Sequence, residues 1–210
     1  YLSASTIITG REFQNRSRAL IYPLMLFLTA ETVIQIALPD LHVTWLCVTL
    51  LSVLYFTYCS EMWNQLDGLT GLLSQKSYLN RTLKLRPEDK MLIVFDLDNF
   101  KYINDTYGHQ AGDQCLKVIA ECLKKAYSRY GNCYRIGGDE FCVLFREPKK
   151  EKYCREKFYW IIEKRKKSLH MLPGASYGSA LIEEQESISD TKARADANMY
   201  ANKKARKQAR

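Results

Sequence analysis

Arg135-Ile-Gly-Gly-Asp-Glu-Phe141 decides the reading of this chain. Residues 132–136 and 140–145 read as two strands, with Gly137-Gly138 between them as a hairpin signature. Two glycines without Cβ let a backbone pass close to phosphate. Asp139 and Glu140 follow at once and offer carboxylates to a divalent cation. About forty residues upstream, the apolar run Met91–Phe95 ends in Asp96-Leu97-Asp98. Its Ile, Val and Phe content marks a buried strand, and strand ends are where ligand chemistry collects in such sheets. If the two strands are neighbours, up to four carboxylates meet. Without a cation that would cost several kcal/mol in repulsion and desolvation. Oxygen-only ligands favour Mg²⁺ or Mn²⁺ over zinc. The pattern predicts a metal–nucleotide site split between two strands. Lys101, just past Asp98, would neutralise phosphate charge, as phosphoryl transfer requires.

Outward from these strands, helical patterns cover 74–85, 100–107, 110–130, 150–169 and 189–204, and a further strand covers 175–182. In 110–130, Leu116, Ile119, Ala120 and Leu123 share one face. Strands alternating with helices predict an α/β (α+β) sandwich with a central sheet.

The N-terminal part differs in kind. Residues 19–38 are strongly apolar, with Glu31 and Gln35 as the polar exceptions. Pro39-Asp40 breaks the run, and 41–58 is apolar again with no charged residue. Each is near the roughly 20 residues a membrane-spanning helix needs. Tyr22, Trp45, Tyr55 and Tyr58 stand near the ends, as interfacial aromatics do. Arg11, Arg16 and Arg18 precede the first run, which puts both flanks on the cytoplasmic side. The expected organisation is a membrane hairpin over 1–60, a helical linker over 61–66 and a catalytic domain over 67–210. The expected location is the inner membrane, multi-pass, with the catalytic domain in the cytoplasm. A buried helical hairpin in a soluble dimer is the alternative. The chain begins at Tyr1 rather than Met, and is expected to be part of a longer sequence.

The 210 residues carry a net charge of +8, with basic tracts at 149–167 and 203–210. Such a surface suits a polyanionic ligand or an acidic membrane face. No nucleic-acid motif accompanies the charge, so no nucleic-acid partner is expected. The seven cysteines, 47, 59, 115, 122, 133, 142 and 154, show no Cys-x-x-Cys spacing. They fit a reduced compartment rather than a disulfide framework.

Asp67-x-Leu-Thr-Gly-Leu72, Phe95-Asp-Leu-Asp-x-Phe-Lys101, Asn104, Gly108-His109, Gly112-Asp113 and Gly137-Gly-Asp-Glu-Phe141 occur in this order. The set resembles the GGDEF domain of diguanylate cyclases from about Asp67 to Lys204. The resemblance implies a palm-like fold with a mixed or antiparallel sheet flanked by helices. It implies condensation of two GTP into cyclic di-GMP and two pyrophosphates between two facing domains of a homodimer. By the same resemblance Asp96, the Leu97 carbonyl and Asp139 hold Mg²⁺ or Mn²⁺, with Glu140 assisting. Asp139 also activates the 3′-hydroxyl, and Lys101 stabilises transition-state charge. Asn104 and Asp113 read guanine, since a carboxylate can accept from its N1–H and N2–H₂. Gly137 and Gly138 line the triphosphate. Lys203 matches a phosphate-binding lysine, and His109 a substrate-contacting position, with a capping role as its alternative.

Two departures stand out. The inhibitory Arg-x-x-Asp of many relatives is replaced by Ser128 and Gly131, so this site is expected to be absent. The final helix keeps Tyr200 and Lys203, but Arg206 and Lys207 stand where the relatives have Gly-Arg. The alternatives to an active cyclase are a silent GTP-binding or dimerisation module and a cyclase of altered base specificity.

Overall fold

The computed structural model describes residues 65–183 and 185–208, and upstream 26, 29–30, 32–37 and 44–63. Glu31, Tyr22 and the three N-terminal arginines lie outside the described residues. The chain divides into two compact units, Tyr1–Trp63 and Asn64–Arg210.

In the first unit, helix α1 runs from Thr44 to Trp63. Its hydroxyls Thr49, Ser52 and Thr57 donate back to the carbonyls of Trp45, Val48 and Val53. Val48, Leu50, Val53, Leu54 and Phe56 are exposed. Among the described residues no helix is long and apolar enough to cross a membrane. Within the expected 61–66 linker, α1 extends to Trp63. Leu66 forms an isolated bridge with Leu73.

The second unit is built on β1 (Met91–Leu97), whose Leu92, Ile93, Val94 and Phe95 are buried on both sides. The remaining strands are β2 (Gly131–Arg135), β3 (Glu140–Phe145) and β4 (Ala175–Leu181), in the sheet order β2-β3-β1-β4. Every ladder is antiparallel. This corrects the mixed alternative, and the reason is the order of connection. From β1 the chain passes through α3 (Phe100–Tyr107) and α4 (His109–Tyr127) to β2, two strand positions away, which leaves room for one strand between them. The β2–β3 hairpin then returns into the gap. From β3 it crosses through α5 (Glu151–Lys166) over β1 to β4. Two split crossovers interleave, so strands that run the same way are never neighbours.

One face packs Ile93, Phe95, Leu97, Phe141, Val143 and Phe145 against α4 and α5. The helices present Leu116, Ile119 and Leu123, and Phe158 and Ile162, at three- and four-residue spacing. The opposite face carries Leu92, Val94, Cys142 and Leu144 with Tyr78 of α2 (Gln75–Thr82) and Ala195 of α6 (Ile188–Gln208). Gly178 lets α6 settle directly on β4. A Cβ there would stand 2.1 Å from the Ala195 carbonyl oxygen and 2.2 Å from the Met199 nitrogen.

Candidate active site

Period-two alternation sends Leu92 and Val94 to the α6 face, and Asp96 follows them. In β3 the same rule sends Cys142 and Glu140 that way. The register sets Asp96 opposite Glu140. The expected convergence of the two strand ends therefore occurs. It is tied by the Leu97 N–H, which donates to the Asp139 carbonyl at 3.3 Å. The turn closes on itself, with Ile136 and Gly137 N–H donating to the Glu140 carbonyl at 3.0 and 3.3 Å.

Arg135 supports this turn from behind. Its Nε and Nη2 donate to the Gly138 carbonyl at 3.2 and 2.8 Å. Its Nη1 donates to both carboxylate oxygens of Asp67. Asp67 also accepts from the Thr70 amide and hydroxyl, at 2.9 and 2.6 Å. Burial alone would raise the Asp67 pKa, but Thr70 and Arg135 together hold it below the usual carboxylate value. Reading site residues from the sequence missed Arg135. The signal is an arginine two residues before a Gly-Gly turn, with an unassigned aspartate in an upstream motif. Asp67, Gly68, Arg135, Gly137 and Gly138 line an open cleft of about 790 Å³. Asn104, His109 and Asp113 do not line it.

The four expected carboxylates do not behave alike. Asp139 has its pKa raised, first by burial and then by the charge of Asp96. Asp96 forms an ion pair with Lys203 of α6, the lysine expected to bind phosphate. Asp98 is engaged elsewhere: it accepts from the buried Ser176 hydroxyl at 2.6 Å, and its N–H donates to the Gly174 carbonyl at 2.9 Å. Glu140 is exposed and lies against Gly137. A four-carboxylate cluster therefore does not form, because Asp98 serves β4. Among the described residues no group of three or more metal-ligating side chains gathers. The donor set still fits Mg²⁺ or Mn²⁺. Mg²⁺ usually takes one or two carboxylates and completes its shell with phosphate and water. Asp96 and Asp139 would supply the two carboxylates, and the Leu97 carbonyl lies beside Asp96 in the chain. Asp139 near Asp96 is a proton-costly arrangement that a cation would relieve.

Asn104 of α3 lies against Gly112 of α4. A Cβ on Gly112 would stand 1.9 Å from the Asn104 side-chain oxygen. The α3–α4 corner therefore places Asn104 beside the residue preceding Asp113. The corner turns at Gly108, whose φ is +83°. Gly108 holds the cap position with no side-chain cap bond, and His109 is the first helical residue. His109, Asp113 and Lys101 are exposed. Arg206 and Lys207 fall within α6, but their side chains lie outside the described residues.

The family model described as "Diguanylate cyclase, GGDEF domain" matches residues 64–209. The chain is 34% identical over 158 residues to the "Probable diguanylate cyclase DgcI" of Escherichia coli K12, covering 72% of this chain and 33% of that protein. It is 32% identical over 150 residues to the "Probable diguanylate cyclase DgcJ" of the same organism, covering 65% of this chain and 29% of the relative. The chain thus spans about a third of the length of these curated relatives. Among solved structures, the GGDEF domain of DgcB from Caulobacter crescentus in complex with c-di-GMP is 29% identical, with a TM-score of 0.56. That match covers 67% of this chain and 91% of that one.

Proposed function

The chain belongs to the diguanylate cyclase GGDEF-domain family, and from that membership we propose that it makes cyclic di-GMP from two GTP. In each of two equivalent steps a 3′-oxygen bonds to the α-phosphorus of the other GTP. The hydroxyl proton is taken up and pyrophosphate leaves. Two copies must face each other for both attacks, which suits a closed two-fold homodimer. The carrying observation is the Leu97–Asp139 hydrogen bond, which locks the Gly-Gly turn onto the end of β1.

When bound, Mg²⁺ or Mn²⁺ would polarise phosphate oxygens and neutralise their charge. Asp96, Asp139 and the Leu97 carbonyl would hold it, with Glu140 assisting. Asp139 takes the hydroxyl proton. Lys101 stabilises the charge that develops on phosphate. Gly137 and Gly138 let the triphosphate lie against the turn. Asn104 and Asp113 read guanine, and His109 contacts the substrate. Lys203 binds phosphate.

Placement is part of the proposal. The two apolar N-terminal runs anchor the protein in the inner membrane, with the catalytic unit in the cytoplasm. What supports this is the arginine-flanked hydropathy of the sequence. Extraction of the protein from membranes by alkaline carbonate alone would overturn it.

Incubating the full chain with GTP and Mg²⁺, with products identified by mass, tests the activity. Asp139→Ala should abolish turnover while leaving the fold intact, because it removes a charge that Asp96 repels. GTP binding without product in the parent protein would favour the silent module instead.

A further inference from the structure

The pairing of Asp96 with Lys203 follows from how α6 is seated. Gly178 lets the α6 backbone touch β4 at Ala195 and Met199. Lys203 is one turn beyond Met199 on the same helical row, about 6 Å along the axis. Gly178 pairs with Val94 in β1, and Asp96 lies two residues beyond Val94, about 6.7 Å along the strand. The helical turn and the two strand residues match in length. Lys203 therefore arrives over Asp96 as a consequence of the Gly178 contact. The lysine and aspartate side chains keep 26% and 19% of their exposure. The pair is sheltered enough to hold and open enough to exchange.

We propose that Lys203 is an internal counter-cation, which occupies Asp96 until a divalent metal and a nucleotide arrive together. This rests on the reading of Asp96 as a metal ligand given above. A bare metal ion must displace the ammonium from Asp96 and leave it unpaired beside a dication. A nucleotide–metal complex brings phosphate oxygens that accept the released ammonium. Metal and nucleotide thus bind with positive coupling, and the coupling is reciprocal. Lys203 is a positioning residue in this role: it disfavours metal without nucleotide.

The experiment measures Mn²⁺ binding to the full chain by electron paramagnetic resonance. It is run with Mn²⁺ alone and with a GTP analogue whose α,β-bridging oxygen is replaced by methylene. Lys203→Met should bind Mn²⁺ alone about three- to tenfold more tightly than the parent, the scale of a partly exposed ion pair. Its enhancement by the nucleotide should shrink by at least as much. Lys203→Arg, which keeps the cation, should retain the parental coupling. Lys203→Met binding Mn²⁺ alone no more tightly than the parent, while the parent still binds Mn²⁺ with nucleotide, overturns the counter-cation and leaves the site standing. Failure of the parent to bind Mn²⁺ even with nucleotide overturns both.

Discussion

Arg135 and Asp67 lie 68 residues apart in sequence and are joined by hydrogen bonds of 3.1 and 3.3 Å. The same guanidinium holds the Gly138 carbonyl, so one side chain sets the turn that carries Asp139. Arg135→Ala should lower stability by roughly 1–3 kcal/mol, because Asp67 keeps only Thr70 as its partner. Cyclase turnover should fall by about 10²-fold, the cost of a catalytic group misplaced by about 1 Å. Arg135→Lys should not rescue it, since an ammonium cannot hold two acceptors in a planar fork. Full turnover in Arg135→Ala would show that the turn holds itself.

The sign of the pH effect follows from Asp67. Its folded-state pKa is lowered. The stability it contributes is therefore present above its unfolded pKa of about 3.9 and is lost as pH falls through the folded value. Asp67→Asn should be less stable than the parent at neutral pH, and the gap should narrow as the solution is acidified. Urea midpoints measured between about pH 3 and pH 6 check this. A gap that stays constant would remove the Asp67 charge from the account.

The thiols offer a test of the core that is independent of catalysis. Burial pushes Cys133 up to about 12 and Cys122 and Cys154 each to about 11. Burial also raises Cys115 and Cys142. Thiolate is the reactive form, so these five should resist an aromatic disulfide reagent at about pH 8. They should titrate fully in denaturant. Rapid reaction of any of them in the native protein would contradict the packing around β1.

What the sequence shows of this fold divides along a physical line. Met91–Leu97 and the Gly-Gly hairpin are legible because burial on both faces demands apolar runs, and a hairpin demands its turn residues. The split crossovers are not legible, since pairing order is a property of the whole sheet and not of any strand. Asp98 illustrates the limit. It reads as a fourth carboxylate for the site, yet its partner Ser176 is a residue of β4, and no local pattern announces that pairing. Gly178 reads as a glycine inside a strand; only the seated helix reveals that it sets the position of Lys203.

Gly131 bears on inhibition by product. A Cβ there would stand 2.6 Å from the Leu144 carbonyl oxygen and 2.9 Å from a Val143 methyl. The expected loss of the inhibitory motif is therefore built into the β2–β3 contact as well as into the residue types. Added cyclic di-GMP should not slow the parent through this position. Ser128→Arg with Gly131→Asp should fail to install inhibition and should cost about 1–3 kcal/mol from overpacking. Initial rates against added product, with a melting curve for each variant, decide it. A stable double variant that is strongly inhibited would show that β2 can shift to admit the side chain.

Gly112 sets the corner that holds Asn104, the residue proposed to read guanine. Its missing Cβ is the space the Asn104 amide occupies, and Phe100 closes the other side at 3.2 Å from where that Cβ would stand. The Asn104 amide is the end of a side chain, so it is the group that must give way. Gly112→Ala should therefore push the Asn104 side chain out of position while α4 itself, a helix in which Ala is favoured, stays formed. The consequence falls on recognition. A site built to hydrogen-bond a base rejects the wrong one by leaving its own polar groups unpaired, and misplacing one such group removes part of that penalty. KM for GTP should rise about tenfold, the worth of roughly one hydrogen bond to a polar partner, and preference for GTP over ATP should narrow similarly. Circular dichroism should remain that of the parent. Unchanged KM and unchanged preference, in a folded Gly112→Ala, would take Asn104 out of guanine recognition and leave Asp113 to carry it alone.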